Sequence, residues 1–542
     1  MHAPSDTWMR WAPWLVALAA VLAWLPPLGL HGYWFPDEPD VALPVLEMLA
    51  RGDWIVPTAN GQPWLDYPPL TYWGGIFWSQ LLGSTAFALR LTPLLGGAVF
   101  LLSTASIARR VAGPTAAWQA ALLAVATPLV WMMATTLQVD MSFAGAQAAG
   151  FALYLAGDAR QGARAWLLRA AAFACFGVAI LAKGPLGLLL PGFILTLWHA
   201  WNREWLRILW LAPLALVSLA VAALWYAPLV QRLGADYVGH ELWLQNFDRF
   251  GTTTRGHGGK GPFYYLTGLW GDLGPWTLLL PPALWYAWRQ RAQRGARLLG
   301  LWFVVSFVFL SLASTKRTVY LLPAYPAILA LTGCWIASQR ESRWLRNSLL
   351  IVAGFFALAA VALAAWSWSP LAAMPRVAPI LSALHLPSVA LAVLFAGGAA
   401  AIGLGVRRGE LAQAVRGAAA ALLLVFTAAM WLVMPVVDRI HSYHSPAAWV
   451  SARSLGSGPI GFFYPGMEAR KRAGWLCYLN GRRLEFFADA ASAQAWLQAE
   501  PSRVIVSDPK NAPPVPGSRV ANAWTIGEQD WVALVRESFS PE

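Results

Sequence analysis

Apolar residues in this chain run in unbroken stretches of about twenty, a length that matches the ~30 Å hydrocarbon core of a bilayer. Roughly thirteen such stretches occur, centred near residues 20, 97, 124, 148, 174, 192, 217, 276, 305, 328, 357, 395 and 423. Backbone groups in lipid must be satisfied within the segment, and runs of this length do so as helices. The pattern therefore predicts a polytopic α-helical membrane protein of about thirteen transmembrane helices. The first run, 11–30, follows Arg10 in the manner of a signal peptide, but the many spans behind it favour an uncleaved helix. Two connecting stretches are too long for simple turns. In 31–83 the pattern predicts an amphipathic helix over 41–51 and a second, Leu70–Leu82, both interfacial. In 231–262 the Gly-rich run from Arg255 through His257 and Lys260 to Pro262 suits a loop that orders on a ligand. After about residue 438 the pattern changes. Short β-like runs at 460–464, 484–487, 504–507 and 531–535, with a helical stretch at 491–499, predict a small C-terminal α/β domain. The expected division is a membrane domain over 1–437 and a soluble domain over 438–542.

Composition narrows the class. Only 12% of residues are charged, about half the share of a soluble chain. The net charge of +13 would fit a nucleic-acid binder, but its distribution points elsewhere. With the N-terminus in the cytoplasm, alternate loops collect Arg109, Arg110, Arg160, Arg164, Arg169, Arg203, Arg207, Arg289, Arg291, Arg294 and Arg297, then Arg340, Arg343, Arg346, Arg407, Arg408 and Arg416. That is the positive-inside bias of a multi-pass protein, so no nucleic-acid partner is expected. An odd number of spans puts the C-terminal domain on the outer side. The three cysteines, Cys175, Cys334 and Cys477, have no partner at metal-ligand spacing and read as inert.

The chemistry lies among charges that break the bias. Lys183, Arg249, Arg255, Lys260, Lys316 and Arg317 fall on the outer side, as do the acids Asp37, Glu38, Asp53, Asp66 and Asp140. Charges beside hydrocarbon are costly, so such a grouping asks for a function. Acid facing cation suits attack of an alcohol on a carbon that bears a phosphate leaving group. The acid takes the nucleophile's proton, and the cations stabilise charge that grows on the departing phosphate. At an effective dielectric of ~20, one cation ~4 Å from a phosphate contributes about 4 kcal/mol of gross attraction. A transporter or flippase is the alternative. It calls for polar residues across the membrane and matched broken helices; here the polar residues sit at outer span ends, with Asp272 the exception.

Several short motifs occur in consistent order over about residues 10–330: Pro36-Asp37-Glu38, Glu47-Met48 with Gly52-Asp53-Trp54-Ile55-Val56-Pro57, and Pro68-Pro69-Leu70 with Tyr72-Trp73. Asp140, Ala182-Lys183-Gly184-Pro185, Asn246 with Arg249-Phe250, and Lys316 with Tyr320-Leu321-Leu322-Pro323 follow. The set resembles the GT-C class of integral-membrane glycosyltransferases, near the bacterial aminoarabinose (lipid A) transferases and protein O-mannosyltransferases. That resemblance implies inverting transfer of one sugar from an undecaprenyl-phosphate carrier, on the periplasmic face and without nucleotide sugars. The acceptor would be lipid A, another envelope glycan or protein. By the same resemblance Asp37 is the base or acceptor-orienting acid, with Glu38 beside it, and Asp140 is the second acid. Lys183, Arg249, Lys316, Arg317, Tyr320 and Tyr67 fall to the carrier phosphate. No cofactor is required; in relatives the acid at Asp66, with a loop His matched by His257, can hold a zinc ion. The chain departs from the aminoarabinose pattern twice. Pro39-Asp40-Val41 replaces a variable residue and Arg-Tyr after the acid pair, and Asp66-Tyr67-Pro68-Pro69 stands for Glu-Lys-Pro-Pro. Tyr67 keeps a hydrogen-bond donor there but loses the positive charge. Both changes touch substrate choice more than reaction class.

Overall fold

The computed structural model describes residues 6–34, 37–245, 260–261, 263–338, 342–366, 378–454, 458–464, 469–479, 481–510, 512–526 and 529–538. Among them, nine helices are long and apolar enough to cross a membrane, and Leu186–Trp201 is a shorter apolar helix. The protein is a multi-pass membrane protein. Other expected spans take modified forms. The centres near 97 and 124 lie in one 40-residue helix, Ala86–Val125, about 60 Å at 1.5 Å per residue and too long for one straight crossing. It breaks at Ala112 and Gly113, where φ reaches 85°. Pro114 follows; it supplies no N–H and disfavours helical backbone at the residue before it, so a glycine there takes the turn. The stretch centred near 276 is three pieces, Tyr264–Asp272, a 3₁₀ turn Gly274–Leu279 and Leu280–Arg289. Pro275, Pro281 and Pro282 remove the donors a continuous helix would need. In the first long connection, Leu70–Leu82 is helical as expected, and the helix expected over 41–51 starts earlier, as Glu38–Arg51 with Pro39 in its first turn.

The chain forms two compact units. The first comprises Met1–Pro27, Asp66–Thr71 and Arg90–Val433, and holds most of the apolar helices. The second comprises Leu28–Leu65, Tyr72–Leu89 and Met434–Glu542.

In the second unit a five-stranded sheet runs in the order β4-β3-β5-β7-β6. Its strands are β3 (Ile460–Phe463), β4 (Leu484–Phe486), β5 (Ile505–Ser507), β6 (Ser518–Ile526) and β7 (Gln529–Arg536). β3 pairs parallel with β4 and β5; β7 pairs antiparallel with β5 and β6. One sheet face buries Phe462, Trp475, Trp531 and Tyr443; the other packs Phe463 and Ile505 on Ala493 and Leu497 of the helix Ala490–Ala499. Leu43, from the helix Glu38–Arg51, lies in the first of these cores.

The first connection is stitched to this sheet by more than packing. A two-residue hairpin, β1 (Thr58–Ala59) and β2 (Gln62–Pro63), turns through Asn60 and Gly61. Both have positive φ, 54° and 76°, the Asn-Gly signature of the tight hairpin turn. Glu47 closes the turn, accepting from Thr58 Oγ1 at 2.5 Å, Asn60 N at 2.7 Å and Gly61 N at 3.1 Å. The Asn60 amide then bonds both backbone groups of Leu484 in β4. Nearer the N-terminus, Gly32 N donates to Asp438 at 2.8 Å and Tyr33 N to Tyr478 Oη at 2.6 Å.

Candidate active site

Two helix ends in the first unit bring an acid and a cation together. Asp140 is the first residue of the helix Asp140–Asp158, and Lys183 the last of Gly162–Lys183. Each charge matches its helix terminus, since the macrodipole favours anions at the N-terminal end and cations at the C-terminal end. The Lys183 ammonium donates to Asp140 Oδ1, and both side chains are largely enclosed. The same ammonium lies 4.5 Å from the Tyr320 ring centroid, within cation–π range.

Sequence explains why Lys183 stops there. Gly184 carries φ 85° and ends the helix, Pro185 follows, and Leu186–Trp201 runs back. The reversal is tight: a Cβ on Gly187 would sit 2.3 Å from Ile180 N. Leu70 packs on a buried cluster of Phe143, Ala179 and Ala182. The segment Asp66–Thr71, with buried Asp66 and half-buried Tyr67, therefore runs beside the Asp140 and Lys183 ends.

Lys316 and Arg317 stand just ahead of the 3₁₀ turn Thr318–Ala324, which carries Tyr320. Lys316 is buried, and its ammonium donates to the carbonyls of Ala313 at 2.6 Å and Lys260 at 3.2 Å. Arg317 is half-buried in extended backbone. The structure thus brings Lys183 into contact with both Asp140 and Tyr320, with Lys316 and Arg317 a few residues from Tyr320 in the chain.

Asp37 and Glu38 belong to the second unit. Asp37 is half-buried and immediately precedes the helix Glu38–Arg51. Glu38 is buried and accepts from Trp34 N at 2.9 Å, so it shapes the turn that presents Asp37. Arg249 and His257 lie outside the described residues, and with them the expected partner of Asp66 in a zinc site. Among the described residues no group of three or more His, Cys, Asp or Glu is placed to hold a metal.

Several polar residues escaped the sequence reading. Arg90 is fully buried inside the helix Ala86–Val125; an arginine within an apolar run was the available signal. Tyr325 donates to Asp272 at 2.8 Å. At the helix ends opposite Asp140 and Lys183, Arg294 bonds both Asp158 and Glu204, Arg207 bonds Asp158, and His199 bonds Glu204 at 2.8 Å. Burial alone would raise the Glu204 carboxyl, but hydrogen bonds from Arg294 and His199 outweigh it and hold the group below its ordinary value.

Comparison with known proteins gives this arrangement a context. The profile of the family described as dolichyl-phosphate-mannose-protein mannosyltransferase matches residues 66–226, a segment that includes Asp140 and Lys183. An undecaprenyl phosphate-α-4-amino-4-deoxy-L-arabinose arabinosyl transferase of Erwinia tasmaniensis is 31% identical over 408 residues, covering 71% of this chain and 72% of the relative. One of the same description from Pseudomonas fluorescens is 30% identical over 336 residues, 61% of this chain and 60% of its own. Among solved structures, ArnT from Cupriavidus metallidurans bound to undecaprenyl phosphate shares the fold with a TM-score of 0.83 and 24% identity, over 99% of this chain and 100% of that one. The archaeal oligosaccharyltransferase AglB from Archaeoglobus fulgidus shares it more loosely, with a TM-score of 0.52 and 13% identity over 92% and 69% of the two chains. A membrane helix bundle with this acid–cation pair, 31% identical to a curated transferase over most of both chains, belongs to the undecaprenyl phosphate–aminoarabinose arabinosyl transferase family of GT-C glycosyltransferases.

Proposed function

We propose that the protein moves a single sugar from undecaprenyl phosphate to an acceptor at the periplasmic face of the inner membrane, with lipid A as the first acceptor to test. The contact of Lys183 with Asp140 and Tyr320 carries this reading, because it sets a cation at a membrane-helix end where a lipid phosphate can reach it. Asp37 takes the proton of the acceptor hydroxyl, and that oxygen forms its bond to the anomeric carbon from the face opposite the carrier. The bond from that carbon to the phosphate oxygen breaks, and the electron pair leaves with the polyprenyl phosphate. Lys183, Arg249, Lys316 and Arg317 stabilise the charge that grows on the phosphate, which lowers the barrier more than uniform binding would. Two of the three Lys316 N–H donors are committed to carbonyls, so the third is available to a phosphate oxygen. Tyr320 and Tyr67 supply neutral hydrogen bonds. The aminoarabinose of the relatives is the first sugar to try.

The same reading places thirteen crossings over 1–437, an N-terminus in the cytoplasm and residues 438–542 in the periplasm. A zinc ion at Asp66 and His257 is an expectation of the family likeness. Metal analysis of purified protein, wild type against His257→Ala, tests it: stoichiometric zinc lost in the variant supports the site, and equal zinc in both removes it.

The deciding experiment supplies purified protein with undecaprenyl-phosphate-linked aminoarabinose and lipid A. Wild type transfers the sugar, and Asp37→Asn transfers it on the order of 10²-fold more slowly. A variant as fast as wild type removes Asp37 as the base. A wild type that transfers nothing, yet moves lipid-linked sugar across a vesicle membrane, makes the protein a flippase.

A further inference from the structure

A cavity lined by residues of the second unit has a volume of about 1170 Å³. That exceeds the ~300–1,000 Å³ of drug-sized ligand sites and leaves room for more than one sugar ring. One wall is a face of the helix Glu38–Arg51, where Leu43, Leu46, Glu47 and Ala50 recur at the spacing of a single helix side. The segments around Asp438 and Tyr478 and Trp524 in β6 also line the cavity. Gly29, at the end of the first span, and Asp438, shortly after the last span ends at Leu432, both line it.

Its charge is lopsided. Four arginines line it, Arg51, Arg439, Arg482 and Arg483, against two carboxylates, Glu47 and Asp438. The carboxylates are engaged by neutral donors: Glu47 closes the hairpin turn, and Asp438 accepts from Gly32 N and Trp34 Nε1. Arg51 and Arg482 are engaged too, donating to Val56 O and to Gly458 and Ser454. Arg439 and Arg483 stand at the rim without a carboxylate partner among the described residues. The Arg483 guanidinium lies against the hairpin turn, where a Cβ on Gly61 would fall 3.0 Å from its central carbon. His444 also lines the cavity. Two guanidinium groups without a carboxylate partner among the described residues, at the rim of a roomy cavity whose lining mixes apolar and polar side chains, suit a phosphorylated saccharide carried by a lipid.

We propose that this cavity seats the acceptor, binding the phosphorylated disaccharide of a glycolipid with Arg439 and Arg483 on its phosphates. Asp37 heads the helix that forms the wall, about 15 Å from Glu47 at 1.5 Å per residue. Acceptor and base thus ride on one rigid element. The choice of occupant rests on the transferase reading above; the chemistry of the cavity does not.

The test measures binding of lipid A bisphosphate in detergent micelles to the full-length protein, beside dephosphorylated lipid A and phosphatidylglycerol. Arg439→Ala with Arg483→Ala raises the Kd for the bisphosphate roughly 10-fold or more, and the Lys pair at the same positions restores most of it, which separates charge from folding. Wild type prefers the bisphosphate to the dephosphorylated form by a similar factor. An Ala pair that binds as tightly as wild type overturns the proposal, as does phosphatidylglycerol that displaces the bisphosphate at equal concentration. Turnover separates the two readings. Sugar transfer with an acceptor KM unchanged in the Ala pair defeats the cavity alone. Selective, arginine-dependent binding by a protein that transfers no sugar defeats the transferase reading and upholds the cavity.

Discussion

Lys183 serves two neighbours at once, an acid at another helix terminus and the face of an aromatic ring. An ammonium held this way is already oriented when substrate arrives, and preorganised charge is where most electrostatic catalysis originates. Lys183→Gln should slow sugar transfer about 10²-fold and raise KM for the polyprenyl-phosphate donor while leaving acceptor KM unchanged. Steady-state transfer with both substrates varied checks this, and an unchanged donor KM would remove Lys183 from the phosphate site. Asp140 and Lys183 were legible in the sequence because each is a charge abutting an apolar run, and Lys183 is in addition a cation on the side where the positive-inside bias expects few. Arg294, Asp158 and Glu204 were not. A loop arginine near an inner span end looks like topology alone, and only the folded chain shows Arg294 gripping two carboxylates. Glu38, expected to share the chemistry of Asp37, also has a structural task that the sequence did not show: its carboxylate accepts from the backbone N–H of Trp34.

At the level of elements, the tight reversal between Gly162–Lys183 and Leu186–Trp201 sets where the site's cation stands. Gly187→Ala puts a methyl group 2.3 Å from Ile180 N. Overpacking of this kind costs about 1–3 kcal/mol, so the variant should melt earlier in detergent and transfer sugar more slowly; wild-type melting would show that the reversal yields easily. The network at the far helix ends responds to acid. The folded-state value of Glu204 lies below its ordinary one, so its stabilisation is complete above the unfolded value of ~4.3 and is lost as pH falls below it. Melting curves from pH 6 down to 3 should show wild type losing its advantage over Glu204→Gln only in that acid range. An advantage that persists at pH 3 would contradict the depressed value. Sequence periodicity located Leu70–Leu82 well because nothing in it interrupts the helix. It missed the division of the stretch near 276, where prolines break a run that hydropathy reads as continuous. It also missed β6, whose partly exposed residues lack clean alternation.

For the molecule as a whole, the second unit is assembled from chain segments far apart in sequence. Removing residues 434–542 would strip Gly32, Tyr33 and Trp34 of bonded partners and leave Leu43 without its core. The truncated protein should aggregate in detergent, and a monodisperse, active truncation on size-exclusion chromatography would refute this. Composition alone could not reveal the arrangement, because the first connection and the tail carry no shared motif and meet through backbone groups such as those of Leu484. The bond from Asn60 to Leu484 spans 424 positions. At a ribosomal rate of ~5–20 residues per second the hairpin waits roughly 20–85 s for its partner strand to be made. Throughout that interval the turn stands with Leu43 uncovered. Chaperones that hold unfinished chains therefore have a defined client window on every copy of this protein, opening with the hairpin and closing when β4 arrives.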